Sequence, residues 1–186
     1  MTRVKAGSTV RYTITYLEMT TRPTTDVPDL PETTQLVPAI NPPAWYFMSL
    51  YDAVGRDYEW QDKHFEDPTE VAAFVGDPKV SLFTLMQDGW PQGFFQLDWR
   101  TPGTCDLAYF GMVPQALGKG LGGIMLHTAI AKGWAGDGVT RMTVNTCSLD
   151  HPRALDLYKK RGFAPIRTEN RMRVLRKDRD PEAFPA

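Results

Sequence analysis

Apolar and polar residues alternate over 10–19 (Val-Arg-Tyr-Thr-Ile-Thr-Tyr-Leu-Glu-Met), the two-residue period of a half-buried strand. The period vanishes over 20–43, where six prolines and six threonines predict a long loop or extended arm, not a helix. Leu30, Leu36, Val37 and Ile40 predict that this arm lies on the domain surface. Asn41-Pro42 then opens a helix carrying Trp45, Met48, Leu50, Tyr51 and Val54 mostly on one side. Asp67 caps a second helix with Val71, Ala72, Phe74 and Val75. Between the two, residues 55–66 hold Tyr58, Trp60, His64 and Phe65. From Lys79 onward the pattern is one of strands, at 80–87, 92–99 and 104–113, with turns at Asp88-Gly89 and Pro102-Gly103. A helix beginning near Leu121, a strand at 139–147, a helix after Pro152 and strands at 163–168 and 171–175 complete the chain. The last two strands join through Glu169-Asn170. The order βααβββαβαββ predicts an α+β fold, a mixed central sheet of about seven strands flanked by about four helices.

A chain of 186 residues has enough material for one domain, residues 1–186, with a sizeable core. A net charge of −1 gives no electrostatic reason to expect a nucleic-acid or membrane partner. The one basic cluster, over 167–177, is interrupted by apolar residues and predicts a solvated strand edge. Residues 177–186 are charged and proline-containing, which predicts an exposed tail. Cys105 and Cys147 are too few for a disulfide scaffold or a zinc site, and no apolar run of 18 residues and no leader pattern is visible. The expectation is a cytoplasmic, metal-free protein, with a homodimer left open.

Chemistry concentrates in residues 106–130. An apolar run ends at Pro114, which supplies no ladder donor, and Gly118, Gly120, Gly122 and Gly123 follow. Beyond them Leu121, Ile124, Met125, Thr128 and Ala129 recur at helical spacing. Strand, glycine loop and helix together aim unpaired backbone N–H groups at an anion. Two nucleotide motifs are excluded. Lys119 is followed by Gly120 where a P-loop needs Ser or Thr, and Asp137 lies in a Gly-Asp-Gly turn where a dinucleotide site needs a strand end. A diphosphate on some other carrier fits.

Downstream, Ala154-Leu-Asp-Leu-Tyr158 leads to Gly162-Phe163, with Asp150 or His151 as a helix cap and Pro152 in the first turn. Together with Phe110-Gly-Met-Val-Pro114 and Gly118-Lys-Gly-Leu-Gly122, this order resembles the GNAT acetyltransferase superfamily over residues 80–175. The resemblance implies a GNAT-like sheet and acetyl-CoA as cosubstrate, without a metal. Phe110, Gly111 and Met112 would pair with pantetheine, and the loop Gly118, Lys119, Gly120, Leu121, Gly122 and Gly123 would hold the pyrophosphate. Two positions depart from the family pattern. Leu117 stands where Gln or Arg is usual, and His151 stands near the usual asparagine, where it can still donate a hydrogen bond.

The same resemblance makes Tyr158 the expected catalytic general acid, protonating the departing sulfur. Asp98, Asp106, Tyr109 and Glu59 are candidates by type for the base. Cys147 reads as a small buried thiol, not a nucleophile. Tyr58 and Trp60, with Tyr109, are the expected acceptor wall, while Trp45, Tyr58 and Trp60 serve equally as core packing. The implied activity is direct acetyl transfer to a primary amine of a small molecule, amino acid or peptide. The alternative is a non-catalytic module that binds or senses acyl-CoA.

Overall fold

A computed structural model, which describes residues 3–180, has one seven-stranded sheet and four α-helices. The strands are β1 (Thr9–Met19), β2 (Thr34–Ala39), β3 (Val80–Gln87), β4 (Trp90–Asp98), β5 (Thr104–Met112), β6 (Arg141–Cys147) and β7 (Ala164–Val174). The helices are α1 (Ala44–Gly55), α2 (Pro68–Val75), α3 (Leu121–Trp134) and α4 (Ala154–Lys160). Strand order across the sheet is β2-β3-β4-β5-β6-β1-β7, antiparallel throughout except for the β5–β6 pair. The α+β class and the count of seven strands agree with the sequence pattern.

Two elements differ from it. Thr34–Ala39, within the stretch expected to be a loop, pairs with β3 as an edge strand. An edge tolerates Pro38, because only one side of the strand needs a full set of ladder donors. The two strands expected at the C-terminal end are a single strand, β7. Glu169 and Asn170 stay in register opposite Ile14 and Thr13, and Asn170 accepts a 2.8 Å bond from the Thr13 hydroxyl. A cross-strand partner thus overrides the turn tendency of Asn. β7 is an edge strand with mostly exposed residues, as the basic cluster predicts. Of the expected exposed tail, residues 181–186 lie outside the described residues. Lys177 is exposed, whereas Arg179 is half-buried and forms an isolated antiparallel bridge with Val4.

Adjacent residues on a strand face opposite ways, so β4 shows what each face carries. Phe94 packs edge-on against Phe47 of α1 at 6.2 Å, whereas Phe95 stacks on Phe83, over which Lys132 of α3 sits at 5.0 Å. Both phenylalanines are fully buried. α1 and α3 therefore cover opposite faces, and β4 is the centre of a three-layer core. α3 contributes Leu121, Met125, Leu126, Ala129 and Ile130 to that core. The segment before β2 crosses to α3, where the buried His127 Nε2 meets the Thr25 hydroxyl at 3.2 Å. No helix among the described residues is long and apolar enough to cross a membrane.

Candidate functional site

β5 begins as an ordinary central strand and loses a neighbour part-way along. Thr104, Cys105 and Asp106 pair in parallel with Arg141, Met142 and Thr143 of β6, and the pairing stops there. On its other side β5 stays bonded to β4 as far as Met112, with a bulge opposite Gln96–Leu97. β6 likewise keeps β1 on its far side through Cys147. The backbone N–H and C=O groups of Ala108 to Met112 and Asn145 to Cys147 that face one another thus open onto a cleft of about 750 Å³. A peptide-like amide entering it finds the donors and acceptors that a strand would have supplied.

The glycine loop closes one end. Gly118 and Gly120 have φ of +80° and +79°, the left-handed region that glycine enters freely, and a Cβ on either would meet open space. The loop is shaped for backbone approach and not for internal packing. α3 starts immediately after it, with Gly120 at the N-cap, no side-chain cap and no acidic residue in the first turn. The first-turn N–H groups of a 14-residue helix therefore have no side-chain acceptor and carry the positive end of its dipole. These features fit a diphosphate.

α4 forms the opposite wall. Tyr158 is 5% exposed and lies edge-on to Phe110 and Phe163, at 6.1 and 6.0 Å. Its hydroxyl has no hydrogen-bond partner among the described residues, and burial raises its pKa far above the usual phenol value. His151 is different in kind. Its Nδ1 accepts from the backbone N–H of Arg153 at 3.2 Å, which leaves Nε2 to carry the proton of the neutral ring. Burial and then the Arg153 charge lower its pKa, so at neutral pH it is an uncharged donor. Neither Asp150 nor His151 is the helix cap expected from the sequence; that position is Arg153. Asp150 instead accepts from Trp60 Nε1 (3.0 Å), Thr146 Oγ1 (2.8 Å) and Cys147 N (2.8 Å). Burial, reinforced by Asp150, pushes the Cys147 thiol up to about 12, so it is no thiolate at neutral pH.

The family's sequence model, described as Acetyltransferase (GNAT) family, matches residues 45–163, from the first helix through the end of α4. This chain belongs to the GNAT family. Solved structures share the GNAT fold at low identity. A GCN5-related N-acetyltransferase from Kribbella flavida is 18% identical with a TM-score of 0.57, over 88% of this chain and 57% of that one. A tandem GNAT protein from the clavulanic acid biosynthesis pathway is 14% identical with a TM-score of 0.59, over 100% of this chain and 56% of that one. An aminoglycoside acetyltransferase from an uncultured soil metagenomic sample is 13% identical with a TM-score of 0.54, over 69% of this chain and 86% of that one. The chain thus spans little more than half the length of the first two. No curated protein matches significantly.

In this GNAT chain the cleft brings together Tyr158, Phe110, Gly111, Met112, Gly118, Gly120, Gly122, Gly123, His151, Tyr58, Trp60 and Tyr109. The side chains of the two remaining sequence candidates point elsewhere. Lys119 bonds Gln92 Oε1 at 3.2 Å and lies over the Trp90 ring, while Leu121 is buried in the core. The candidate bases are placed away from the opening, apart from Tyr109. Asp98 pairs with Arg100, Asp106 accepts from Thr143, and buried Glu59 accepts from the backbone N–H groups of Arg176 and Lys177. Trp45 is exposed and outside the cleft lining. Asp150, expected only as a cap, and the Asp62–Arg173 pair, not expected at all, line the cleft, and their partners lie about 90 and 111 positions away.

Proposed function

We propose that this chain transfers an acetyl group from acetyl-CoA directly to a primary amine. The observation that carries the proposal is the opening of β5 from β6 beyond Asp106, ending at the uncapped, glycine-lined start of α3. Acetyl-CoA supplies the acetyl group as a thioester. The backbone edges of Phe110, Gly111 and Met112 bind its pantetheine amides, and the N–H groups over 120–123 bind its pyrophosphate. His151 Nε2 donates a further hydrogen bond to the same ligand. The acceptor enters between Tyr58, Trp60 and Tyr109.

The amine gives one proton to solvent before it reacts, since an ammonium has no lone pair. Its lone pair then forms the C–N bond as the C–S bond breaks with its electrons passing to sulfur. The second amine proton leaves as the amide forms, and the sulfur takes up one proton. Tyr158 acts at that sulfur. Its raised pKa keeps the hydroxyl protonated at every pH near neutral, so it always has a hydrogen to present. The same burial makes outright loss of that proton costly. Its contribution is therefore a hydrogen bond that strengthens as charge grows on sulfur, with the proton crossing as solvent replaces it.

Thermal-shift titration with coenzyme A and acetyl-CoA tests the binding half, with stabilisation expected at millimolar ligand and its absence overturning the proposal. The alternative, an acyl-CoA-binding module without turnover, is favoured by one observation. The Asp150 carboxylate and the His151 Nδ1 acceptor, both in the cleft lining, are already held by structural hydrogen bonds. Release of free thiol with a panel of amines separates the two readings.

A further inference from the structure

The acceptor end of the cleft has a composition of its own. We propose that it selects a primary amine borne on a flat, apolar or aromatic body, with Asp62 receiving the ammonium; this rests on the transferase reading above. Five rings line this end: Tyr12, Tyr51, Tyr58, Trp60 and Tyr109. Tyr51, Trp60 and Tyr109 form a mutual triangle with centroids 5.4, 5.6 and 5.7 Å apart, so they present one preassembled wall. That wall is fixed from behind. Gly55 has no Cβ because one would collide with Trp60, and Trp60 Nε1 is tied to Asp150. Ring faces in this number favour a flat apolar body, and their negative faces favour a cation beside it.

Asp62 is the carboxylate at this end with room to accept more. Asp150 already takes three hydrogen bonds, whereas Asp62 is 72% exposed at its side chain and, among the described residues, accepts only from Arg173 Nη2. Arg173 does not offer the converse site for an anion. Its Nη1 donates to the Glu59 carbonyl, its Nη2 to Asp62 and the Tyr12 hydroxyl, and its guanidinium lies 5.1 Å from the Tyr12 ring centre. A substrate carboxylate would have to displace those bonds and sit beside Asp62. The hydroxyls of Tyr58 and Tyr109 have no partner among the described residues, and burial raises the pKa of both, so they remain neutral handles. This arrangement disfavours α-amino acids, and it offers too few carboxylates for a polycationic sugar.

The test is a comparison of kcat/KM, by thiol release, for 2-phenylethylamine, propylamine, L-phenylalanine and an aminoglycoside. The expected result is at least a tenfold preference for 2-phenylethylamine over each of the others. Asp62→Asn should raise the KM for 2-phenylethylamine about tenfold with kcat within twofold. Asp57→Asn, which removes a surface partner of Lys177, should change neither. Fastest release with phenylalanine, propylamine or the aminoglycoside overturns the inference and leaves transfer intact. If acetyl-CoA binds and no amine releases thiol, the transferase reading fails, and the amine site is judged by binding. Saturable quenching of tryptophan fluorescence by 2-phenylethylamine, lost in Asp62→Asn, then supports it, and absence of quenching overturns it.

Discussion

Tyr158 shows how one residue is both part of the packing and chemically available. Its ring is held between Phe110 and Phe163, while its hydroxyl has no partner among the described residues. Tyr158→Phe keeps the ring contacts and removes that hydroxyl. The expected result is a kcat lower by about 10–10³-fold with affinity for acetyl-CoA nearly unchanged. An unchanged kcat, measured where chemistry limits turnover, would reduce the hydroxyl to a bystander. His151 carries a pH signature instead. Its pKa is lowered in the folded chain, so below its ordinary value of about 6.5 the unfolded chain binds more protons. The neutral ring's contribution is thus fully present above about pH 6.5 and is lost as pH falls through the lowered value. His151→Asn should flatten the first acid limb of a Tm-against-pH curve. The limb nearer pH 4 should remain, since there the lowered carboxylates of Asp67, Glu169 and Asp178 begin to protonate. An acid limb identical in variant and parent would remove His151 from the account. Both residues were singled out in the sequence through short motifs and both line the cleft, although His151 does not form the cap also expected of it. Asp150 was misread as a cap, since its partner Trp60 comes from another part of the chain.

Among the elements, α3 decides the most. Its buried stripe was readable from Leu121, Met125 and Ala129, and its start from the glycines, since both are local properties. β2 was not readable, because Pro38 and the threonines around it signal a loop until a neighbouring strand supplies half a ladder. The division of β7 at Glu169-Asn170 failed similarly, against ten register partners on β1. The start of α3 can be probed without breaking it. Gly122 is helical, and a Cβ there would lie 3.5 Å from Met112 Cγ, an ordinary contact. Gly122→Ala should therefore fold normally and raise the apparent KM for acetyl-CoA several-fold, by placing a methyl where backbone approach is needed. Gly120→Val adds strain at φ +79° and should lower stability by about 1 kcal/mol or more as well as binding. Coenzyme A affinity equal to the parent's in folded Gly122→Ala would move the pyrophosphate away from this turn. As a control on packing alone, Leu126→Ala, fully buried on the same helix, should cost about 2–5 kcal/mol by denaturant unfolding.

At the scale of the molecule, the cleft is a seam between two parts of one sheet. β2 to β5 lie on one side and β6, β1 and β7 on the other, joined across the seam by three parallel pairs at Thr104, Cys105 and Asp106. Beyond those pairs, the Trp60–Asp150 bond spans the opening from the segment after α1 to the turn after β6. A seam with so little backbone pairing is a place where local opening is cheaper than global unfolding. A ligand that pairs with both exposed edges then closes what the sheet leaves open. This makes a prediction separate from any chemistry. Trp60→Phe keeps a ring in the wall and deletes one donor that crosses the seam, leaving the bonds from Arg173 to Asp62 and the Glu59 carbonyl in place, at an expected cost of about 1–2 kcal/mol for a half-buried bond to a carboxylate. For a chain of this length that corresponds to a Tm lower by about 2–8 °C. Amide exchange should quicken at the free ends of β5 and β6, over 108–112 and 145–147, more than at β3. Saturating coenzyme A should restore most of that protection, since the ligand's amides substitute for the missing tie. Asp150→Asn alone and combined with Trp60→Phe closes the cycle, and a coupling energy near zero between the two would show that the seam is held shut by something else.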